Sequence, residues 1–400
     1  MRDLEDFGLE RYFAAHEFSV SYELSPSDCE PVSLRKLLAS GGTDAHGNAT
    51  GEVPGAGPGG SIAWLERFLD KRLGYTESAG APDLRKRIAA YYRSIDPSEI
   101  LVGAPEELIF LFMNAVLEPG DHVVSISPAY QSLHAVPPSL GADLTRWSVR
   151  EDGERWYLDL DELRSLLRPQ TKLIVVNFPH NPTGLLPDRR TLEAVVEIAR
   201  SAGLLLFSDE MYRGLEYGGT RLPAVCDLYE QGVSLWGLSK SFGLPGLRIG
   251  WLATHDASLL GRAATLKDYT TICNSALSEE VASLALDQGE KLMETNRTRV
   301  RENLELVRRA FPGPGAPVEL LAGGGEWRAA GGFPGGGSTI LPRFAAGRSS
   351  TAVAEELRTA WDTLLVPGPL FDMPDEYFRL GLGRAGFPQA FDRFRRYLGM

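Results

Sequence analysis

A series of short, uninterrupted apolar runs constrains this chain more than any other feature. They are Leu173 to Phe178, Leu204 to Ser208, Val233 to Leu238 and, close behind, Ile249 to Ala253. A strand with one wet face alternates apolar and polar residues. A run without alternation is buried on both faces, as in a parallel sheet covered by helices. Helical patterns stand between and before the runs, at Glu106 to Leu117 and Arg190 to Ala202, with a further strand at His122 to Ser127. The expected class is therefore α/β, with a mainly parallel sheet. Ligands of such sheets sit beyond the carboxyl ends of the strands. The polar residues of interest in this chain follow those ends.

The flanking segments read differently. Residues 9–24 mix aromatic and polar positions, and Pro31 to Ala39 reads as a short helix. Residues 41–60 are rich in Gly with Asp, Asn and Pro, a composition too poor in apolar side chains to fix itself, so a flexible loop is expected. A second Gly-rich stretch covers 323–337, with Thr339-Ile340-Leu341 starting a strand after it. Four hundred residues exceed one ordinary core. The division expected is 61–285 as a large domain and 286–400 as a smaller one, which residues 1–60 join.

Charge and cysteines narrow the function. The net charge is -12, and no Lys/Arg stripe interrupts it, which argues against a nucleic-acid partner. Cys29, Cys226 and Cys273 lie far apart, with no metal-ligand spacing, as in a reducing cytoplasm. The start of the chain has no signal-like apolar core, and no apolar run reaches the ~18 residues of a membrane span. A cytoplasmic enzyme or binding protein is expected.

Four segments carry candidate chemistry. In Ser239-Lys240-Ser241-Phe242-Gly243, a lysine directly follows a buried strand, and Arg248 comes eight residues later across a Gly/Pro-rich loop. Desolvation and a neighbouring cation lower an amine's pKa and make it a nucleophile towards an aldehyde, while a guanidinium suits a phosphate. The plainer reading is a surface lysine and an ordinary ion pair. In Asn177-Phe178-Pro179-His180-Asn181-Pro182-Thr183-Gly184, Pro and Gly define a rigid turn that presents the Asn181 amide, or simply end a strand. Asp209 and Tyr212 close another apolar run. A carboxylate there suits a protonated pyridine nitrogen, although Asp is also a common helix cap. Gly103 and Ala104 open a helix whose N-terminus suits a phosphate, with Pro105 as ordinary helix grammar. Tyr130, in Ser127-Pro128-Ala129-Tyr130, suits stacking on a flat ring or packing in a core.

In their order and spacing these segments resemble the class I/II aminotransferases, fold-type I enzymes dependent on pyridoxal 5'-phosphate (PLP), over about residues 25–395. The resemblance implies an aspartate-aminotransferase-like fold: a large domain with a seven-stranded-type sheet, and a smaller α+β domain drawn from both termini. It implies that Lys240 is the Schiff-base lysine and proton shuttle, and that Asp209 partners the pyridine nitrogen. Asn181 and Tyr212 then bind the ring oxygen, and Tyr130 stacks on the ring. Arg248, Ser239, Gly103 and Ala104 bind the phosphate. Tyr75, in Gly74-Tyr75-Thr76, resembles the tyrosine given to a neighbouring subunit's phosphate, which implies a homodimer with shared sites. Arg379 resembles the arginine that grips the substrate carboxylate, with Arg384 as its rival and Asn181 beside it. Two positions depart from the pattern. Gly237 stands where many relatives place Ser or Thr, and Pro105 removes one N–H from the phosphate nest.

The resemblance implies transamination between an L-amino acid and a keto acid. The pieces 177–184, 239–250 and 268–272 are most like capreomycidine-synthase-like members, which cyclise instead. Cyclase, lyase and oxidase outcomes use the same residues, and a non-catalytic PLP-binding protein is the remaining alternative.

Overall fold

In the computed structural model, the structure describes residues 4–39, 60–313, 315–323 and 335–400. Most of both Gly-rich stretches, 41–59 and 324–334, lies outside the described residues.

Seven strands form one sheet: β1 (Ile100–Gly103), β2 (His122–Ser127), β3 (Asp143–Ser148), β4 (Thr171–Asn177), β5 (Leu205–Asp209), β6 (Gly232–Gly237) and β7 (Gly250–Ala253). Their order is β1-β7-β6-β5-β4-β2-β3. Neighbours run parallel except at β7, which is antiparallel to both β1 and β6. Every residue of β1, β6 and β7 is buried, and β4 and β5 are buried at nearly every position. This is why they read as unbroken apolar runs. β3 is an edge strand whose residues are mostly exposed or half-exposed, so it leaves no such run in the sequence.

Three helices matter most to the site: α1 (Gly8–His16), α2 (Pro105–Val116) and α3 (Arg189–Ala202). α3 buries Leu192, Val195, Val196 and Ala199, the 3.6-residue stripe of an amphipathic helix. Asp188 caps its start by accepting from Thr191 N at 2.7 Å, and Gly203 ends it in the left-handed conformation at φ 67.

The two ends of the chain meet. Tyr22–Glu23 pairs in parallel with Thr363–Leu364. Phe378–Gly381 lies between Thr339–Ile340 and Val366–Pro367, antiparallel to both. Among the described residues, no helix is long and apolar enough to cross a membrane.

Candidate active site

The site lies at the carboxyl ends of β4, β5 and β6, where Asn177 and Asp209 stand in register. Asn177 ties this corner together. Its Nδ2 donates to the Asp209 carbonyl at 2.8 Å, and its Oδ1 accepts from Asn181 N at 2.8 Å. The turn that follows is pinned by buried His180, which contacts Thr183 Oγ1 at 2.7 Å and the Pro128 carbonyl at 2.8 Å. Burial pulls the imidazole down to about 4, so it stays neutral near pH 7. A neutral ring facing a carbonyl must donate from Nε2, which leaves Nδ1 to accept from the Thr183 hydroxyl. His180 thus fixes the 177–184 turn against the segment that carries Tyr130.

Asp209 is buried, and its Oδ1 accepts from Met211 N at 3.0 Å. Burial raises its carboxyl to about 6, against the opposing effects of that N–H and of Lys240. Because β5 alternates, the next residue faces away from the site. Glu210 instead accepts from Val225 N at 2.9 Å and from Ser234 Oγ at 2.7 Å.

Lys240 follows β6, half-buried, with Nζ donating to Ser27 Oγ at 2.7 Å. Burial lowers its amine below the ordinary range; Asp28 opposes this and Arg379 reinforces it. Tyr212 is buried, and burial pushes its phenol above the usual range.

Arg379 is 1% exposed. Its Nη1 donates to Asn181 Oδ1 at 3.2 Å and its Nη2 to the Ser25 carbonyl at 2.8 Å, while Nε has no partner. The guanidinium lies 5.0 Å from the Phe371 ring centroid and 5.7 Å from that of Phe13. The hydrogen bonds described for this buried cation all go to neutral oxygens. Its rival is engaged elsewhere: Arg384 grips both oxygens of Asp28, at 2.9 and 3.0 Å.

The expected phosphate groups are arranged more loosely. Ala104 is the N-cap of α2 in extended conformation, just after Gly103 ends β1. Ser239 Oγ is buried without a partner. Arg248 is exposed and left-handed at φ 55, with Nη1 donating to the Pro245 carbonyl at 3.2 Å. Beside it, Glu106 in the first turn of α2 is raised to about 7 by burial, although Ser132 donates to it at 3.2 Å. Tyr75 is 91% exposed and is not among the groups gathered around Lys240.

Several residues of the site escaped sequence reasoning. Tyr130 OH donates to Glu10 Oε1 at 2.7 Å, and its ring lies 4.9 Å from that of Phe7. Glu10 and Phe13 come from α1, whose Leu9, Tyr12, Phe13 and His16 follow helical spacing, a usable signal. Ser25 and Ser27 had no such signal.

The donor set fits one kind of group. An amine of depressed pKa, a buried carboxylate, the orphaned Ser239 hydroxyl and a helix N-terminus suit an aldehyde, a pyridine nitrogen and a phosphate held together. The family model "Aminotransferase class I and II" matches residues 50–320. The chain belongs to this family, and its cofactor is pyridoxal 5'-phosphate.

Among curated aminotransferase-family relatives, capreomycidine synthase of Streptomyces vinaceus is 32% identical over 306 residues, covering 76% of this chain and 75% of that one. A PLP-dependent aminotransferase from Streptococcus suis 89-1591 superposes with TM-score 0.86 at 30% identity, covering 99% of this chain and 98% of its own. A PLP-dependent cyclase, OrfR, superposes with TM-score 0.82 at 28% identity, covering 100% and 99%. The expected fold type is thereby established, with its mainly parallel central sheet.

Proposed function

We propose that the protein is an aminotransferase that moves the amino group of an L-amino acid to a keto acid. The observation that carries this reading is Arg379, a buried guanidinium with neutral hydrogen-bond partners and an orphaned Nε, close enough to Lys240 to depress its amine. Such a cation calls for an anionic ligand. A substrate carboxylate supplies the charge, and a fork-to-fork contact orients Cα.

When bound, pyridoxal phosphate supplies an aldehyde for amines and a ring that accepts electrons released at the substrate Cα. Asp209 would hold a proton on the ring nitrogen, and Asn181 and Tyr212 would hydrogen-bond the ring oxygen. Arg248, Ser239, Gly103 and Ala104 would hold the phosphate, and Tyr130 would stack against the ring. Lys240 takes the Cα proton and returns it, a role helped by an amine that burial keeps partly neutral.

Cyclisation is the second reading, favoured by the likeness to capreomycidine synthase and to OrfR. The same experiment tests both. Purified protein is mixed with a panel of amino acids, with and without a keto acid. Transamination consumes the keto acid and converts the cofactor to its amine form. Turnover without any keto-acid requirement would overturn it. If Lys240→Ala keeps the wild-type visible absorbance, the role given to Lys240 is wrong.

We further propose that residues 61–285 form a large domain and 286–400 a smaller one that residues 1–60 join. Exposed Leu69, Leu73, Tyr75 and Tyr269 support a homodimer in which Tyr75 serves the neighbouring subunit's phosphate. Free Cys29, Cys226 and Cys273 are in keeping with a cytoplasmic location.

A further inference from the structure

The strand that carries Arg379 is flanked by the N-terminal helix. Val366 pairs with Arg379 in the antiparallel register, and the turn that follows, Gly368–Phe371, puts the Phe371 ring 5.0 Å from the guanidinium. α1 packs at the same place. Leu9, Val366 and Phe371 form one buried apolar cluster, with Phe7, Tyr12 and Phe13 against it. Tyr12 OH fixes the helix there by donating to the Leu365 carbonyl at 2.7 Å.

One turn of α1 reaches two groups of the site. Residues three apart are neighbours on a helix surface, and Glu10 and Phe13 are such a pair. Glu10 Oε1 accepts from Tyr130 OH at 2.7 Å, while the guanidinium carbon of Arg379 lies over the Phe13 ring, 5.7 Å from its centroid. A cation within about 6 Å of an aromatic centroid is attracted by the ring's quadrupole, most strongly where water is excluded. Arg379 is buried, so the attraction counts here.

How a buried cation is held decides what it can bind. A carboxylate partner neutralises a guanidinium and occupies its N–H donors, as Asp28 does for Arg384 at both forks. An aromatic face stabilises the charge and uses none of those donors. Phe13 and Phe371 thus restrain Arg379 while its Nε stays without a partner.

We propose that Phe13 is a positioning residue of this site: its ring holds the Arg379 guanidinium in the orientation that receives a ligand carboxylate. The grip is complete only when α1 is docked, which makes the N-terminal helix part of the substrate site. The inference rests on Arg379 as the carboxylate-binding group, and the experiment separates the two.

The probe is 2-aminoisobutyrate, an amino acid with no Cα proton to lose, beside isopropylamine, the same amine without its carboxylate. Each is titrated into the holoenzyme and followed by the visible absorbance of the cofactor. The ratio of the two dissociation constants reads the carboxylate contact. Phe13→Leu keeps an apolar side chain and removes the π face. It is expected to weaken 2-aminoisobutyrate by roughly three- to tenfold and to leave isopropylamine unchanged. Phe13→Tyr, which keeps the π face, retains the wild-type ratio. Tryptic cleavage after Arg11 at the wild-type rate shows that α1 is still docked; should Phe13→Leu be cleaved faster, Phe13→Met takes its place with the same expected and contrary outcomes. A wild-type ratio in Phe13→Leu, beside a ratio lost in Arg379→Ala, overturns the role of Phe13 and leaves that of Arg379 standing. A ratio that Arg379→Ala leaves intact overturns the carboxylate reading itself, and the role of Phe13 falls with it.

Discussion

Pro105 lies against Gly237. A Cβ on Gly237 would meet Pro105 Cγ at 3.3 Å, and one on Gly250 would meet it at 2.8 Å. Gly103, Gly250 and Gly237 stand in register across β1, β7 and β6, so the first residue of α2 rests near a floor of glycines. The two departures from the family pattern, a glycine at 237 and a proline at 105, are therefore one feature. A side chain at 237 would crowd the β7 backbone first and the proline ring second.

Gly237→Ser is accordingly expected to destabilise the protein by roughly 1–3 kcal/mol, the usual cost of overpacking. Its Cβ would also come within 2.8 Å of Gly250 Cα and 3.0 Å of the Ile249 carbonyl. Pro105→Ala should relieve the side-chain part of that cost and leave the backbone part. Thermal melts of the two single variants and the double variant check this. An unshifted melt for Gly237→Ser would mean that β6 and β7 separate easily there.

Asp209 should make stability depend on pH in opposite senses with and without cofactor. Burial raises its carboxyl from an ordinary ~3.9 to about 6, so the folded chain binds the proton more tightly than the unfolded one. Stability then falls as pH rises through that window: the cost is absent below about 4 and complete above about 6. Cofactor-free Asp209→Asn should therefore exceed wild type at pH 8, by on the order of 2–3 kcal/mol, and match it near pH 4. With pyridoxal phosphate bound, a ring N–H held by Asp209 as proposed would compensate the carboxylate, and wild type should become the more stable. Denaturant melts at both pH values, with and without cofactor, test the reversal. A less stable Asp209→Asn at pH 8 without cofactor would contradict it.

How much of this was legible in the sequence follows from how local each feature is. The central strands are buried on both faces, and that burial is written into consecutive residues such as Leu173 to Val176. Edge strand β3 exposes Asp143 and Arg146 and carries no comparable signature. Lys240, Asp209 and Asn181 stand at strand ends, where polar residues interrupt apolar runs and draw notice. Ser27 meets Lys240 across 213 residues, and Glu10 meets Tyr130 across 120. Neither contact has a spacing that a local pattern can reveal, and Ser27 sits among ordinary loop residues. Arg379 was singled out only through resemblance, because its strand is four residues long.

The N-terminal helix α1 is expected to detach when its contacts are removed. Besides Tyr130 and Glu10, it is held by Gly8 N donating to Gln131 Oε1 at 2.8 Å and by Tyr12 OH donating to the Leu365 carbonyl at 2.7 Å. Tyr130→Phe with Gln131→Ala removes two of these bonds, worth about 1–3 kcal/mol together. Tryptic cleavage after Arg11 should accelerate by roughly tenfold or more, since local opening governs proteolysis. Equal cleavage rates would show that the Tyr12 bond and Leu9 packing are enough to hold the helix.

Arg379 and Arg384 should separate cleanly by what their loss affects. Arg384 is bound at both forks to Asp28, in an ion pair whose side chains are 24% and 11% exposed. Arg384→Ala strands a largely buried carboxylate, so it should lower stability by about 1–3 kcal/mol. Substrate affinity should change little beyond the fraction unfolded. Arg379 has the reverse profile: its described partners are neutral, and its Nε is unsatisfied. Removing a buried cation without a hydrogen-bonded counter-charge costs the fold less than removing a paired one. The loss should appear in catalysis, on the order of a hundredfold or more in kcat/KM for amino acids. Arg379→Lys should recover only part of it, because a point charge cannot reproduce the fork. Steady-state kinetics beside melting curves for both variants decide the matter. The assignment is reversed if Arg384→Ala loses the activity at an unchanged melting temperature while Arg379→Ala retains it.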